Sequence, residues 1–176
     1  MKRFLIVVDI QNDFVDAALG TKEAKAMVPN AVSEIARARA QGDTVIATLD
    51  THGENYLATR EGRRLPVPHC VKGTDGWQLN PDVEHALGNS IRLEKPTFGS
   101  VKLPELIKNL AGGDEELDIR LIGLCTDICV VSNALLLKAN FPEADVSVKA
   151  DCCAGVTPEA HEAALKTMAS CQIDII

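Results

Sequence analysis

Six short runs rich in β-branched and aliphatic residues alternate with helical patterns along the 176 residues of the chain. The runs are 3–9 (RFLIVVD), 44–50 (TVIATLD), 90–95 (SIRLEK), 117–124 (LDIRLIGL), 144–151 (ADVSVKAD) and 172–176 (QIDII). Between them lie PNAVSEIARARAQ, with Pro29 read as a first-turn residue and Gly42 as the stop, LPELIKNLAG, a run from Ile128 to Asn140, and TPEAHEAALKTMAS, where Thr157 caps and Pro158 follows. Parallel neighbours need a crossover helix, so this alternation predicts the α/β class: a Rossmann-like, three-layer α/β/α arrangement around a six-stranded, mainly parallel sheet. No internal repeat or Pro/Ser-rich linker interrupts it, and residues 1–176 read as one domain. The exception is 51–81, rich in His, Gly, Pro and Arg and without periodicity. A loop of that length inside a compact domain is usually functional.

Composition removes several classes of partner. Eighteen basic against 25 acidic side chains leave a net charge of −7, which argues against a nucleic-acid or anionic-membrane face. No apolar run approaches the roughly 18–20 residues of a membrane span. The apolar stretch of MKRFLIVVDI stops at Asp9 with no cleavage site after it, so it reads as a strand rather than a signal peptide. Six cysteines without a secretion signal point to reduced thiols in the cytoplasm. Four of them, Cys70, Cys152, Cys153 and Cys171, read as small buried hydrophobes.

In open parallel sheets ligands bind beyond the carboxyl ends of the strands. This reading places there Asp9, Asp50 with His52, Lys95, the segment Gly123-Leu124-Cys125-Thr126-Asp127-Ile128-Cys129, and Asp151. An acid, an amine and a thiol together make a reactive set. Cys129 falls where the fourth strand turns into the next helix, and there the helix dipole and a neighbouring Lys95 would favour a thiolate, making it the most reactive thiol. Backbone N–H groups of the same turn could hold an oxyanion, and Asp9 could serve as general base and acid.

These residues carry a resemblance. The blocks DIQNDFVD, DTH followed by PHCVKGT, EKPTFGS and GLCTDICV, continued by DCCAGVTPEAHEAAL, resemble the isochorismatase-like cysteine hydrolases, and within them the nicotinamidase-related amidases. The resemblance implies a triad of Asp9, Lys95 and Cys129 that hydrolyses a small amide such as nicotinamide, to nicotinate and ammonia, through a thioester. It implies a non-proline cis peptide at Leu124–Cys125 and an oxyanion hole from the N–H groups of Cys125 and Cys129, with Asp127 bracing the turn. Asp50, His52 and His69 match metal ligands, with Glu61 as a fourth, for one divalent ion: zinc, with iron or manganese as alternatives. His85 and His161 fall on helical segments and read as surface or packing residues. Relatives are often homo-oligomers.

One departure concerns the substrate. Nicotinamidases sandwich a pyridine ring between aromatic side chains; Phe14 matches one, but the other position holds Pro66, so Tyr56 or Trp77 of the long loop would have to replace it. Three rival readings accompany this one. Isochorismatase-type hydrolysis of another small metabolite has no need of a thiol. A Cys125/Cys129 redox pair lacks CxxC spacing and leaves Asp9 and Lys95 idle. A non-catalytic metal-binding scaffold leaves the triad unexplained.

Overall fold

The computed structural model describes residues 1–113 and 116–176. Its strands are β1 (Lys2–Val8), β2 (Thr44–Asp50), β3 (Ile91–Lys95), β4 (Leu117–Leu124), β5 (Asp145–Ala154) and β6 (Asp174–Ile175). They form one six-stranded sheet in the order β3-β2-β1-β4-β5-β6, and every strand pairing is parallel. The helices are α1 (Asn12–Val15), α2 (Lys22–Ala40), α3 (Arg60–Arg64), α4 (Pro81–Leu87), α5 (Lys102–Ala111), α6 (Val131–Asn140) and α7 (Pro158–Ser170). The α/β reading therefore holds, and the sheet is more uniform than "mainly parallel" implies.

The sheet is covered on both faces, which is why its central strands read as unbroken apolar runs. Leu5 and Val7 of β1 join one core with Met27, Ala31 and Ile35 of α2 and Val83 and Leu87 of α4. Phe4, Ile6 and Val8 point the other way, into a core with Leu103 and Ile107 of α5, Leu137 of α6 and Met168 of α7.

Two boundaries differ from the sequence reading. Helix α2 begins at Lys22, where Thr21 Oγ1 accepts from the Ala24 N–H at 3.0 Å, so Pro29 lies in the helix interior rather than its first turn. The helix tolerates it because Ala24, Met27, Val28, Ala31, Ile35 and Ala38 keep one buried stripe across it, while Pro29 itself faces solvent. Strand β5 runs on to Ala154, so Asp151 is not a strand-end residue; it is exposed and pairs with Lys149 at 2.9 Å.

Chain direction places the site. From β1 the chain builds β2 and β3 on one side and β4 to β6 on the other, so a crevice opens above the carboxyl ends of β1 and β4. Val8 pairs with Thr48 on one side and Gly123 on the other. Gly123 has φ +125°, and a Cβ there would fall 2.1 Å from the Val8 carbonyl oxygen, so only glycine lets β4 lie this close beneath Asp9.

Candidate active site

Asp9 leaves β1 in the left-handed region, φ +47°, which Asp enters more readily than most residues. Its backbone N–H donates to Thr48 O at 3.2 Å, and Thr48 Oγ1 donates to Asp9 Oδ1 at 2.7 Å. The other carboxylate oxygen, Oδ2, lies 2.6 Å from Lys95 Nζ, and both residues are fully buried. Lys95 ends β3 in register with Asp50, which ends β2. From there its ammonium also donates to Cys129 Sγ at 3.4 Å and to Thr97 O at 3.0 Å. One ammonium thus bridges an acid and a thiol. The strand-end residues Asp9, Lys95 and Cys129 meet, as does Asp50, whose Oδ1 is 3.7 Å from Lys95 Nζ.

The thiol sits in a π-helical turn, Thr126–Val130, that links β4 to α6, and the Leu124–Cys125 peptide before it is cis. Asp127 Oδ1 accepts from the Val156 N–H at 3.0 Å, and His161 Nδ1 lies 2.7 Å from Thr126 Oγ1. Both contacts tie the turn to the start of α7, a brace expected of Asp127 but not of His161.

Burial dominates the electrostatics. It raises Asp9 above the ordinary aspartate range, with the Lys95 charge opposing it. It pushes the Cys129 thiol well up, helped by Asp9 and opposed by Lys95. Cys125 is likewise pushed up to about 12 by burial and by Asp127. Burial would lower Lys95, but the Asp9 and Asp50 carboxylates oppose it and favour the ammonium. For Cys129, burial and the neighbouring Asp9 carboxylate act against the thiolate that the helix dipole and Lys95 favour. Cys171 also departs from the sequence reading, being exposed, while Cys70, Cys152 and Cys153 are buried.

Beside the triad, His52 Nε2 lies 3.0 Å and His69 Nε2 3.6 Å from Asp50 Oδ2, and Glu61 Oε1 lies 3.6 and 3.7 Å from the same two nitrogens. One ligand atom from each of Asp50, His52, Glu61 and His69 falls within 4.8 Å of every other. This set fits a divalent cation. The Val67 carbonyl lies 2.8 Å from His69 Nδ1 and can only accept, so the proton sits on Nδ1 and leaves Nε2 a lone pair toward the cluster. Asp50 Oδ1 is buried with no hydrogen-bond partner among the described residues. Burial pushes Asp50 up, but the two imidazoles and Lys95 hold it far below the usual carboxylate range, so it stays ionised.

Two residues without a role in the sequence reading hold this geometry. The side chain of Gln11 accepts from Asp50 N at 2.7 Å and donates to Asp50 O at 2.9 Å and Trp77 O at 2.8 Å. Asp13 Oδ2 accepts from Cys70 N at 2.8 Å, fixing the segment that carries His69. Both lie in the DIQNDFVD block, and their polar side chains buried beside a strand end were the available signal.

A cavity of about 570 Å³ opens over the triad, lined by Phe14, Cys125 and Cys129 among others. Tyr56 and Trp77 do not line it. Tyr56 is buried behind the imidazoles, its ring 4.8 Å from His52 and 4.9 Å from His69, with its hydroxyl donating to Leu65 O. Trp77 turns its indole N–H to Thr51 Oγ1 at 2.9 Å. The second aromatic in the lining is Phe98, from the EKPTFGS block, which the sequence reading left without a function.

The architecture and this cleft define a hydrolase site on a parallel α/β sheet, and comparison with known proteins agrees. The isochorismatase domain family matches residues 3–176, and the chain belongs to that family. A nicotinamidase/pyrazinamidase of Mycobacterium tuberculosis is 27% identical over 186 residues, covering 99% of this chain and 98% of that protein. An uncharacterized isochorismatase-family protein of Bacillus subtilis is 33% identical over 153 residues, 77% of this chain and 78% of its own length. The crystal structure of a Pyrococcus horikoshii pyrazinamidase in complex with zinc superposes with a TM-score of 0.82 at 27% identity, covering 100% of this chain and 99% of the other.

Proposed function

We propose that this protein is a cysteine amidohydrolase that converts a small amide, with nicotinamide the leading candidate, to its acid and ammonia. One observation carries the reading: Lys95 Nζ bridges Asp9 at 2.6 Å and Cys129 at 3.4 Å, and Cys129 lines a substrate-sized cavity. The family match and the nicotinamidase and pyrazinamidase relatives support the same chemistry.

The residues divide the work by their electrostatics. Asp9, whose pKa burial has raised, takes the Cys129 proton as Sγ attacks the amide carbon. Lys95 stabilises the thiolate as it forms. The carbonyl oxygen becomes an oxyanion facing the backbone N–H groups of Cys125 and Cys129. Asp9 then passes its proton to the amide nitrogen, the C–N bond breaks, and ammonia leaves an acyl thioester on Cys129. Asp9 next takes a proton from water, the oxygen attacks the thioester, and the thiol regains its proton as the acid departs. Phe14 offers a flat apolar face to the substrate, with Phe98 in the place expected of Tyr56 or Trp77.

Asp50, His52, Glu61 and His69 would hold one divalent ion, zinc in the first instance, which when bound supplies a Lewis acid at the cavity wall. The reading extends to residues 1–176 as one cytoplasmic domain acting as a homo-oligomer, supported by the six free cysteines and by the exposed Phe98, Val101 and Val156. No described helix is long and apolar enough to cross a membrane. The test is ammonia release from a panel of small amides that includes nicotinamide and pyrazinamide. Turnover of at least one is expected, and a panel left intact by the metal-loaded protein contradicts the reading.

A further inference from the structure

Eight arginines occur in the sequence, and six of them, Arg3, Arg37, Arg39, Arg63, Arg92 and Arg120, hydrogen-bond to a carboxylate or a carbonyl oxygen. Among the described residues Arg60 and Arg64 have no such partner, and both line the cavity that Cys129 also lines. Both are exposed, which places them at its mouth. They lie one helical turn apart on α3, so their side chains share a face. Glu61 is the nearest acid in sequence, but its carboxylate turns inward to His52 and His69. The pair is thus left to face the cavity.

Helix α3 is held firmly enough to serve as a platform. Thr59 Oγ1 caps it from the Gly62 N–H at 3.0 Å, and the buried Tyr56 hydroxyl donates to Leu65 O at 3.0 Å. A Cβ at Gly62 would fall 2.1 Å from the Tyr56 carbonyl oxygen, so the helix can approach this closely only with glycine there. Charge sharpens the contrast. A chain of net charge −7 repels anions as a whole, whereas two guanidiniums without an ion-pair partner among the described residues offer an anion a local attachment at this mouth. Guanidinium is charged at all physiological pH values and matches a carboxylate through two parallel hydrogen bonds. The rest of the lining combines the apolar Phe14, Leu19, Leu65 and Phe98 with Asp50, Glu61 and His69 of the cation cluster, and the cavity of about 570 Å³ is roomy for a single pyridine ring.

We propose that the preferred substrate is an anionic amide, its amide end at Cys129 and a carboxylate at its other end held by Arg60 and Arg64. This rests on the amidohydrolase reading and narrows it. The contact lies away from the reacting atoms, so it acts mainly through KM.

The test compares kcat/KM for ammonia release within matched pairs: 4-carbamoylbenzoate against 4-methylbenzamide, and glutaramate against valeramide, with nicotinamide as reference. The wild-type protein should favour the anionic member of at least one pair about tenfold or more, less so at high salt, because exposed charges are screened. The double variant Arg60→Gln/Arg64→Gln should bring that ratio down to about one. Arg63→Gln, outside the cavity lining and with its guanidinium on Ala58 O, should keep the wild-type ratio. A wild-type ratio of one or below in both pairs overturns the inference whatever the variants do, and leaves the amidohydrolase reading intact if the neutral amides are hydrolysed. An unchanged ratio in the double variant, or an equal loss in Arg63→Gln, also overturns it. No ammonia from any of these amides removes both readings.

Discussion

Lys95 is a buried ammonium within reach of two carboxylates and a thiol, and the state of each depends on it. Asp9 must be ionised to accept a proton, and burial has raised its pKa. Activity should therefore climb with pH through an acid limb above the ordinary aspartate value of about 3.9. A kcat/KM profile still flat below that value would contradict the role of Asp9. Lys95→Met removes the charge that opposes burial, so the limb should move to higher pH. Leaving Asp9 buried without its partner should also cost roughly 3–5 kcal/mol in denaturant unfolding. At this scale the sequence showed which residues end strands, and Asp9, Asp50 and Lys95 were legible for that reason. It could not show the depth at which they lie, and at Cys129 that burial opposes the thiolate that the helix dipole and Lys95 favour. Nor could position in a 31-residue loop tell which aromatic faces inward, and Tyr56 and Trp77 turn to other partners.

Among the elements, α2 and β5 depart most from what local signals suggest. Pro29 was read as a helix start because proline suits a first turn, yet the apolar stripe from Ala24 to Ala38 carries the helix through it. Packing outweighed local propensity there. A proline in a helix interior removes a hydrogen bond and crowds the preceding turn, so Pro29→Ala should stabilise the protein by about 1–3 kcal/mol in denaturant unfolding. Loss of stability would mean that the helix depends on the proline where it stands. In β5 the register runs from Leu121↔Val148 directly to Gly123↔Cys153, so the residues between, Asp151 included, leave the ladder. Only pairing with β4 reveals that irregularity, and the strand's β-branched start gives no sign of it.

Across the whole molecule, strand–helix alternation was enough to predict the sheet, because parallel strands leave few alternatives. Strand order could not be read locally, and it is the order that puts the crevice between β1 and β4. The cation cluster joins the end of β2 to the irregular segment that follows, so an ion there should staple that segment to the sheet. Protein purified without chelator should carry about one equivalent of divalent metal, and chelation should lower Tm by several degrees, reversibly. His52→Ala should abolish both effects; a metal-free protein with unchanged Tm and full activity would remove the ion from the account. The account stands most directly on Cys129 as nucleophile, and steady-state ammonia release by Cys129→Ala and Cys125→Ala, on the best amide of the panel, measures it. Losing the nucleophile should lower kcat by about a thousandfold or more, with Cys125→Ala keeping a measurable share of activity. A Cys129→Ala protein that works at more than about a tenth of the wild-type rate would contradict it.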